Sequence, residues 1–234
     1  MEGTHQMMGY DRASTMFSPD GRLLQVEYAK EAVKQGSTAI GAVCKDGVIL
    51  IADKRVADKL IVAEAVEKIF QVDKHIGATA TGYIMDGRIL VERAQLIAQQ
   101  HQITYSVPID TVTLVKEISD IKQSYTQYGG ARPFGVSILF VGIDDEKPVL
   151  YGTEPTGIFF EYKATVLGEG SDAVREILHK EYSESMSMDD GIKMCIRALK
   201  KVLGKDFDAR RIDGSYVDVK DKTYQVIDKK KFRI

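Results

Sequence analysis

The chain has 234 residues, 44% hydrophobic and 28% charged, with a formal net charge of −2. That length suits one large domain, which can bury roughly 70–75% of its unfolded surface without disulfide or metal staples. The near-neutral balance excludes nucleic-acid binding by bulk charge, and the longest apolar runs, GVILIA and GVSILFVGI, are too short to cross a bilayer. Residues 1–10 are polar and aperiodic, which predicts a mobile end, and MEGTHQMMGYDR has neither the basic nor the apolar segment of a secretory signal.

A helix is predicted next, with Ser18 as its N-cap, Pro19 at its first position and Asp20 complementing its N-terminus. Val26, Ala29 and Val33 share one face, joined by Leu23, and Gly36 stops the helix. Apolar runs at 37–44 and 47–53 flank KDG and predict a hairpin. KIFQV and HIGATAT predict two further strands. Two long helices follow: Leu90, Ala94, Ile97 and His101 keep helical spacing in the first. In the second, Asp110 is placed to cap a face of Leu114, Ile118, Ile121 and Tyr125. After the loop QYGGARPFG, strands are predicted at 134–143, 148–152, 157–160 and 162–167. Ser171 is then expected to cap a helix reaching about Tyr182. Ser187 with Asp190 forms a box-like cap for another helix, whose face is Ile192, Cys195, Leu199 and Val202. GSYVDVKD and TYQVID return to strands before a basic tail, KKKFRI, which reads as a solvated chain end.

Strands grouped in fours between helix pairs do not fit a doubly wound parallel sheet. They fit two antiparallel sheets stacked face to face with helices outside. The expected fold is therefore α+β, a four-layer αββα sandwich with an extra N-terminal helix, forming a single domain over residues 1–234. Cys44 and Cys195 both lie in apolar patterns, which predicts buried thiols in a reducing, cytoplasmic setting.

Ser37 and Thr38 open the first core strand, Asp53 ends the second, and Lys68 precedes the third. A hydroxyl, a carboxylate and an amine at one sheet edge are the parts of an activated nucleophile. In N-terminal nucleophile hydrolases the base is the nucleophile's own α-amine. Ser37 carries an amide there unless residues 1–36 are removed, so this hydrolase reading requires self-processing. His5, His75, His101 and His179 have no partners at metal-ligand spacing, and no phosphate-binding loop is present, so no metal and no cofactor is expected.

The stretch YDRASTMFSPDGRLLQVEYAKEAVKQGSTAIG resembles the N-terminal signature of proteasome core-particle alpha subunits, of the archaeal type. EKIF, SYTQYGGARPFGVSILFVGID and EYKATVLGEGSDAV continue the resemblance through most of the chain. It implies a fold like that of N-terminal nucleophile hydrolases, in a non-catalytic subunit of a threonine-type endopeptidase complex. It also answers why a helix precedes the would-be nucleophile: in these subunits the helix is retained. The implied role is to gate substrate entry and dock a regulatory ATPase or other activator for ATP-dependent protein degradation. The implied partners are neighbouring alpha subunits in a heptameric ring, proteasome beta subunits, the activator and unfolded polypeptide.

Family roles carry over at matching positions. Tyr10, Asp11, Pro19 and Tyr28 match a latch that stabilises the open gate. On residues alone, Tyr28 is an amphipathic-helix residue and Asp11 solvated surface. Lys68, Gly36 and Gly82 match a pocket for the carboxyl terminus of an activator tail ending in a hydrophobic residue, tyrosine and any residue. On residues alone, Lys68 is a surface lysine paired with Glu67 or Glu64. Tyr128, Gly129 and Gly130 match the narrow annulus below the gate, which is otherwise a Gly-rich loop. The chain departs from the family at TGYIMDGR, residues 81–88, where SGLVADAR is common. Tyr83 there replaces a smaller aliphatic residue in the pocket, and Gly87 is expected to weaken the following helix by up to roughly 1 kcal/mol. Two rival readings stand beside this one: a self-processed hydrolase using Ser37 with Asp53 and Lys68, and a stand-alone ring acting as a scaffold.

Overall fold

A computed structural model describes residues 9–56 and 60–232, apart from the Glu64 side chain. Most of the expected mobile end, residues 1–8, lies outside the described residues. The elements follow the predicted order: α1 (Leu24–Lys34), β1 (Ala39–Cys44), β2 (Gly47–Asp53), β3 (Ile69–Asp73), β4 (Ile76–Gly82), α2 (Ile84–Tyr105) and α3 (Thr111–Ser124). Then come β5 (Val136–Asp144), β6 (Lys147–Thr153), β7 (Phe159–Glu161), β8 (Ala164–Leu167), α4 (Ser171–Glu181), α5 (Met188–Leu203), β9 (Ile212–Asp218) and β10 (Tyr224–Val226).

The strands form two five-stranded sheets, β10-β9-β2-β1-β8 and β3-β4-β5-β6-β7, antiparallel throughout. Strand alternation explains why β2 and β5 are apolar on both faces. In β2, Val48 and Leu50 point between the sheets, while Ile49 and Ile51 join a cluster with Val174, Ile192, Cys195 and Leu199 of α4 and α5. In β5, Leu139 and Val141 point between the sheets, while Ile138 and Phe140 meet Leu90, Ala94, Leu114 and Ile118 of α2 and α3. Three apolar cores between four layers make the αββα sandwich. Cys44 and Cys195 are buried free thiols, and burial pushes the Cys44 thiol up to about 12.

Several helix starts differ from the sequence reading. Ser18 closes a turn: its amide donates to Arg22 O at 2.9 Å, its Oγ accepts from Arg22 N at 3.1 Å, and Gly21 N donates to Ser18 O at 2.8 Å. Phe17 and Leu23 bridge across that turn, so Pro19 sits in the turn and α1 begins only at Leu24. The buried face is Leu24, Val26, Ala29 and Val33. Asp110 caps nothing with its side chain. Instead Asp144, at the end of β5, accepts from Thr111 N at 2.9 Å and from Thr111 Oγ1 at 2.7 Å. Ser171 is the first residue of α4, entered through Gly170 in the left-handed region. Ser187 does cap α5, accepting from Asp190 N at 3.2 Å and donating to Asp190 Oδ2 at 2.7 Å. The weak helix former Gly87 has a packing cause: a Cβ there would lie 2.7 Å from Ala80 Cβ, so its absence lets α2 approach β4.

Candidate functional site

α1 ends at one open end of the sandwich, against β4 and β5, and the chain turns directly into β1. Gly36 N donates to Val33 O at 3.0 Å, closing the helix. A Cβ on Gly36 would lie 2.5 Å from Gly82 N, and one on Gly82, whose φ is +119°, would lie 2.2 Å from Gly135 O. Both positions therefore require glycine for close backbone approach. Arg55 fastens the end of α1: its NH1 donates to Gln35 O at 3.0 Å and its NH2 pairs with Glu169. A cation there also complements the helix C-terminus.

Between these segments lies a cleft of about 400 Å³, lined among others by Gln35, Gly36, Ser37, Lys68, Gly82 and Tyr83. Lys68 is only 3% exposed, and its Nζ has no hydrogen-bond acceptor among the described residues. Its backbone is fixed, since Thr79 Oγ1 donates to Lys68 O at 2.9 Å. Burial pushes the ammonium down to about 8; nearby Asp53 pulls it up and Arg55 pushes it down again. Pairing with Glu67 does not occur, and the Glu64 side chain lies outside the described residues. A buried cation with no acceptor among the described residues is stabilised by an anion that reaches it.

Asp53 is buried and held elsewhere. Arg211 binds it in a fork, Nε to Oδ1 and NH2 to Oδ2, both at 2.6 Å, and Arg55 N donates to Oδ1 at 3.0 Å. A wider depression of about 1530 Å³ borders this fork at Thr38, Asp53 and Arg211. Thr38 Oγ1 donates to Glu169 O at 2.7 Å. The structure thus brings Ser37 and Lys68 to one cleft but occupies both oxygens of Asp53.

Near the start of α1, Tyr28 OH lies 3.5 Å from Asp11 Oδ2, and Gln25 Nε2 donates to Asp11 O at 2.6 Å. Tyr10 is half-buried, and Pro19 is exposed on its turn. Tyr128, 65% exposed, and Gly129 and Gly130 form the tip of the loop between α3 and β5; Gly130 adopts a φ of +85°. Sequence reasoning missed Arg55, Arg211 and the pair of Arg132 with Asp86, whose partners lie 20 to 158 positions away along the chain. Among the described residues, no group of His, Cys, Asp or Glu is arranged to hold a metal ion, and no helix is long and apolar enough to cross a membrane.

Comparison with known proteins bears on this arrangement. The family model described as "Proteasome subunit" matches residues 33–217, and the model of the N-terminal signature of A-type proteasome subunits matches residues 10–32. A proteasome alpha subunit of Archaeoglobus fulgidus is 51% identical over 220 residues, covering 94% of this chain and 89% of the relative. Those of Methanosarcina acetivorans and Pyrococcus abyssi are 50% and 49% identical, covering 93% and 94% of this chain and 88% and 84% of the relatives. The second match covers the turn and helix in front of the cleft, and the first covers the sandwich behind it. The chain belongs to the proteasome subunit family and carries that family's alpha-type N-terminal signature.

Proposed function

We propose that the chain is a non-catalytic, ring-forming alpha subunit of a proteasome core particle, which admits polypeptide to a protease chamber and docks an activator. The observation that carries this reading is Lys68: a buried ammonium with no acceptor among the described residues, in a cleft that Gly36 and Gly82 help to line. A peptide's terminal carboxylate fits it in charge and size, and Tyr83 and Ile84 supply apolar contact for the preceding side chains. The activator's C-terminus is the occupant in this reading, and a neighbouring copy of the chain completes the cleft wall. Tyr28, Asp11, Tyr10 and Pro19 form the latch of the gate, supported by the Tyr28–Asp11 approach. Tyr128, Gly129 and Gly130 line the annulus that unfolded polypeptide passes on its way to the beta subunits. Cleavage belongs to those beta subunits, and no cofactor is used here.

The hydrolase alternative needs Ser37 at a chain terminus and Asp53 free to act. The fork of Arg211 on Asp53 favours the non-catalytic reading. Native mass spectrometry of the purified chain, with subunit masses read after collisional release, tests it. The expected result is a heptameric or double-heptameric species built from subunits that retain residues 1–36. Subunits beginning at Ser37 would replace this reading with the hydrolase.

A further inference from the structure

The tip that carries Tyr128, Gly129 and Gly130 is joined to β5 by residues 131–135, which run along the first turn of α2. Arg132 makes two parallel bonds to Asp86 of that turn, NH1 to Oδ2 at 2.6 Å and NH2 to Oδ1 at 2.7 Å. Asp86 Oδ2 also accepts from Gly135 N at 2.9 Å. The guanidinium carbon of Arg132 lies 5.7 Å from the ring centroid of Tyr83. Tyr83 in turn donates its amide to Gly135 O at 2.8 Å, and its ring packs so closely on Gly135 that a Cβ there would lie 2.5 Å from Tyr83 Cδ2. Tyr83 is also a wall of the Lys68 cleft, and it is 55% exposed. One residue therefore lines the cleft and packs its ring on the root of the loop.

We propose that Arg132 is a positioning residue that couples the Lys68 cleft to the Tyr128–Gly130 loop through the ring of Tyr83, so that a peptide carboxyl terminus seated in the cleft resets the loop. The proposal rests on the docking reading above. A ligand shifts a conformational equilibrium only through contacts that differ between the two states. Tyr83 supplies such a contact, because anything packed on it in the cleft also acts on the guanidinium against its ring. Space is open around the tip among the described residues: a side-chain atom added at Gly129 or Gly130 would meet nothing within 4 Å. The choice of arginine is meaningful, since only a planar fork can bind a carboxylate through two nitrogens while lying against an aromatic ring. The same contacts keep Asp86 ionised. Burial raises its carboxyl, but the Arg132 guanidinium and the Gly135 amide more than offset this and hold it below the usual carboxylate range.

The chain contains no tryptophan, so Tyr128→Trp places a single indole reporter in the loop of the full-length assembled chain. The probe is a synthetic peptide ending Leu-Tyr-Arg with a free carboxylate, labelled at its other end for anisotropy, with its C-terminal amide as control. The free acid is expected to bind and shift the indole emission, and the amide to do neither. With Arg132→Lys added, binding stays within about threefold while the emission shift falls by about fivefold or more, the scale of ordinary coupling between sites. Asp86→Asn, which leaves Arg132 without its charged partner, is expected to give the same split should Arg132→Lys fold poorly. The proposal is overturned if both variants bind and shift like the parent, or if the parent binds with no shift. Lys68→Met separates the two levels. If it abolishes binding while the shift survives in Arg132→Lys, the docking reading stands and the coupling falls; if it binds normally, both fall.

Discussion

Lys122 lies wholly buried on α3, and among the described residues its ammonium has one acceptor, Thr153 Oγ1 at 3.0 Å. No carboxylate is within ion-pair distance among the described residues; Glu154 acts only from farther away. Burial pushes this lysine down to about 7, just as it pushes Lys68 down to about 8. A base whose folded pKa lies below its unfolded value binds fewer protons when folded. Such a group depresses stability below its folded pKa, and the loss is recovered as pH rises toward 10.5. Above about pH 7 Lys122 makes stability climb with pH, and above about pH 8 Lys68 adds to the climb. Melting measured by calorimetry should therefore rise from pH 7 to pH 9. Lys122→Met should stabilise the chain by about 1–4 kcal/mol at pH 7 and flatten this rise. A variant that melts lower at pH 7 with an undiminished slope would show that Lys122 is not the source. Lys68→Met should also raise the melting point at pH 7, since burying a cation with no acceptor among the described residues costs stability, and on the docking reading it should remove peptide binding.

At the scale of elements, α3 is held by a residue from another layer. Asp144 at the end of β5 accepts the first amide and the hydroxyl of Thr111, whereas the adjacent Asp110 makes no side-chain cap. Asp144→Ala should cost about 1–2 kcal/mol in urea unfolding and Asp110→Ala a few tenths, the reverse of what local sequence implies. This contrast marks what was legible in the sequence. Period-two alternation and helical spacing are local, so the order of elements and the sandwich could be read from them, as could the Ser187 cap three residues from its partner. Ser18 and Pro19 fit a helix start equally well in composition, yet they close a turn, because the bridge of Phe17 to Leu23 decides the geometry. Lys68 stands out as an amine near Ser37 and Asp53 and Gly36 as a helix stop, but their joint assignment with Gly82 to one pocket comes from resemblance alone. The burial of Lys68 Nζ, the fork of Arg211 on Asp53 and that of Arg132 on Asp86 join residues remote in sequence, and no local pattern announces them.

The whole molecule separates into a sandwich and a helix placed across its end. None of the three apolar cores contains a residue of α1, whose buried face, Leu24, Val26, Ala29 and Val33, covers the outside of the sandwich. A chain starting at Ser37 should thus keep both sheets and all three cores. It loses the apolar cover of α1, the pairing of Lys30 with Glu154 at 3.4 Å and the hold of Arg55 on Gln35 O. A melting point lower by on the order of 10 °C, with near-native near-ultraviolet dichroism, is expected for a loss of a few kcal/mol in a domain of this size. The same chain places an α-amine on Ser37, which the hydrolase reading says is all that is missing. The geometry argues otherwise: both oxygens of Asp53 remain in the fork of Arg211, and Thr38 Oγ1 stays bonded to Glu169 O. Incubated with a β-lactone that acylates N-terminal nucleophiles, this chain should keep an unchanged intact mass. Stoichiometric acylation at Ser37 would show a competent nucleophile beneath the helix, and the gate reading of α1 would give way to that of a propeptide.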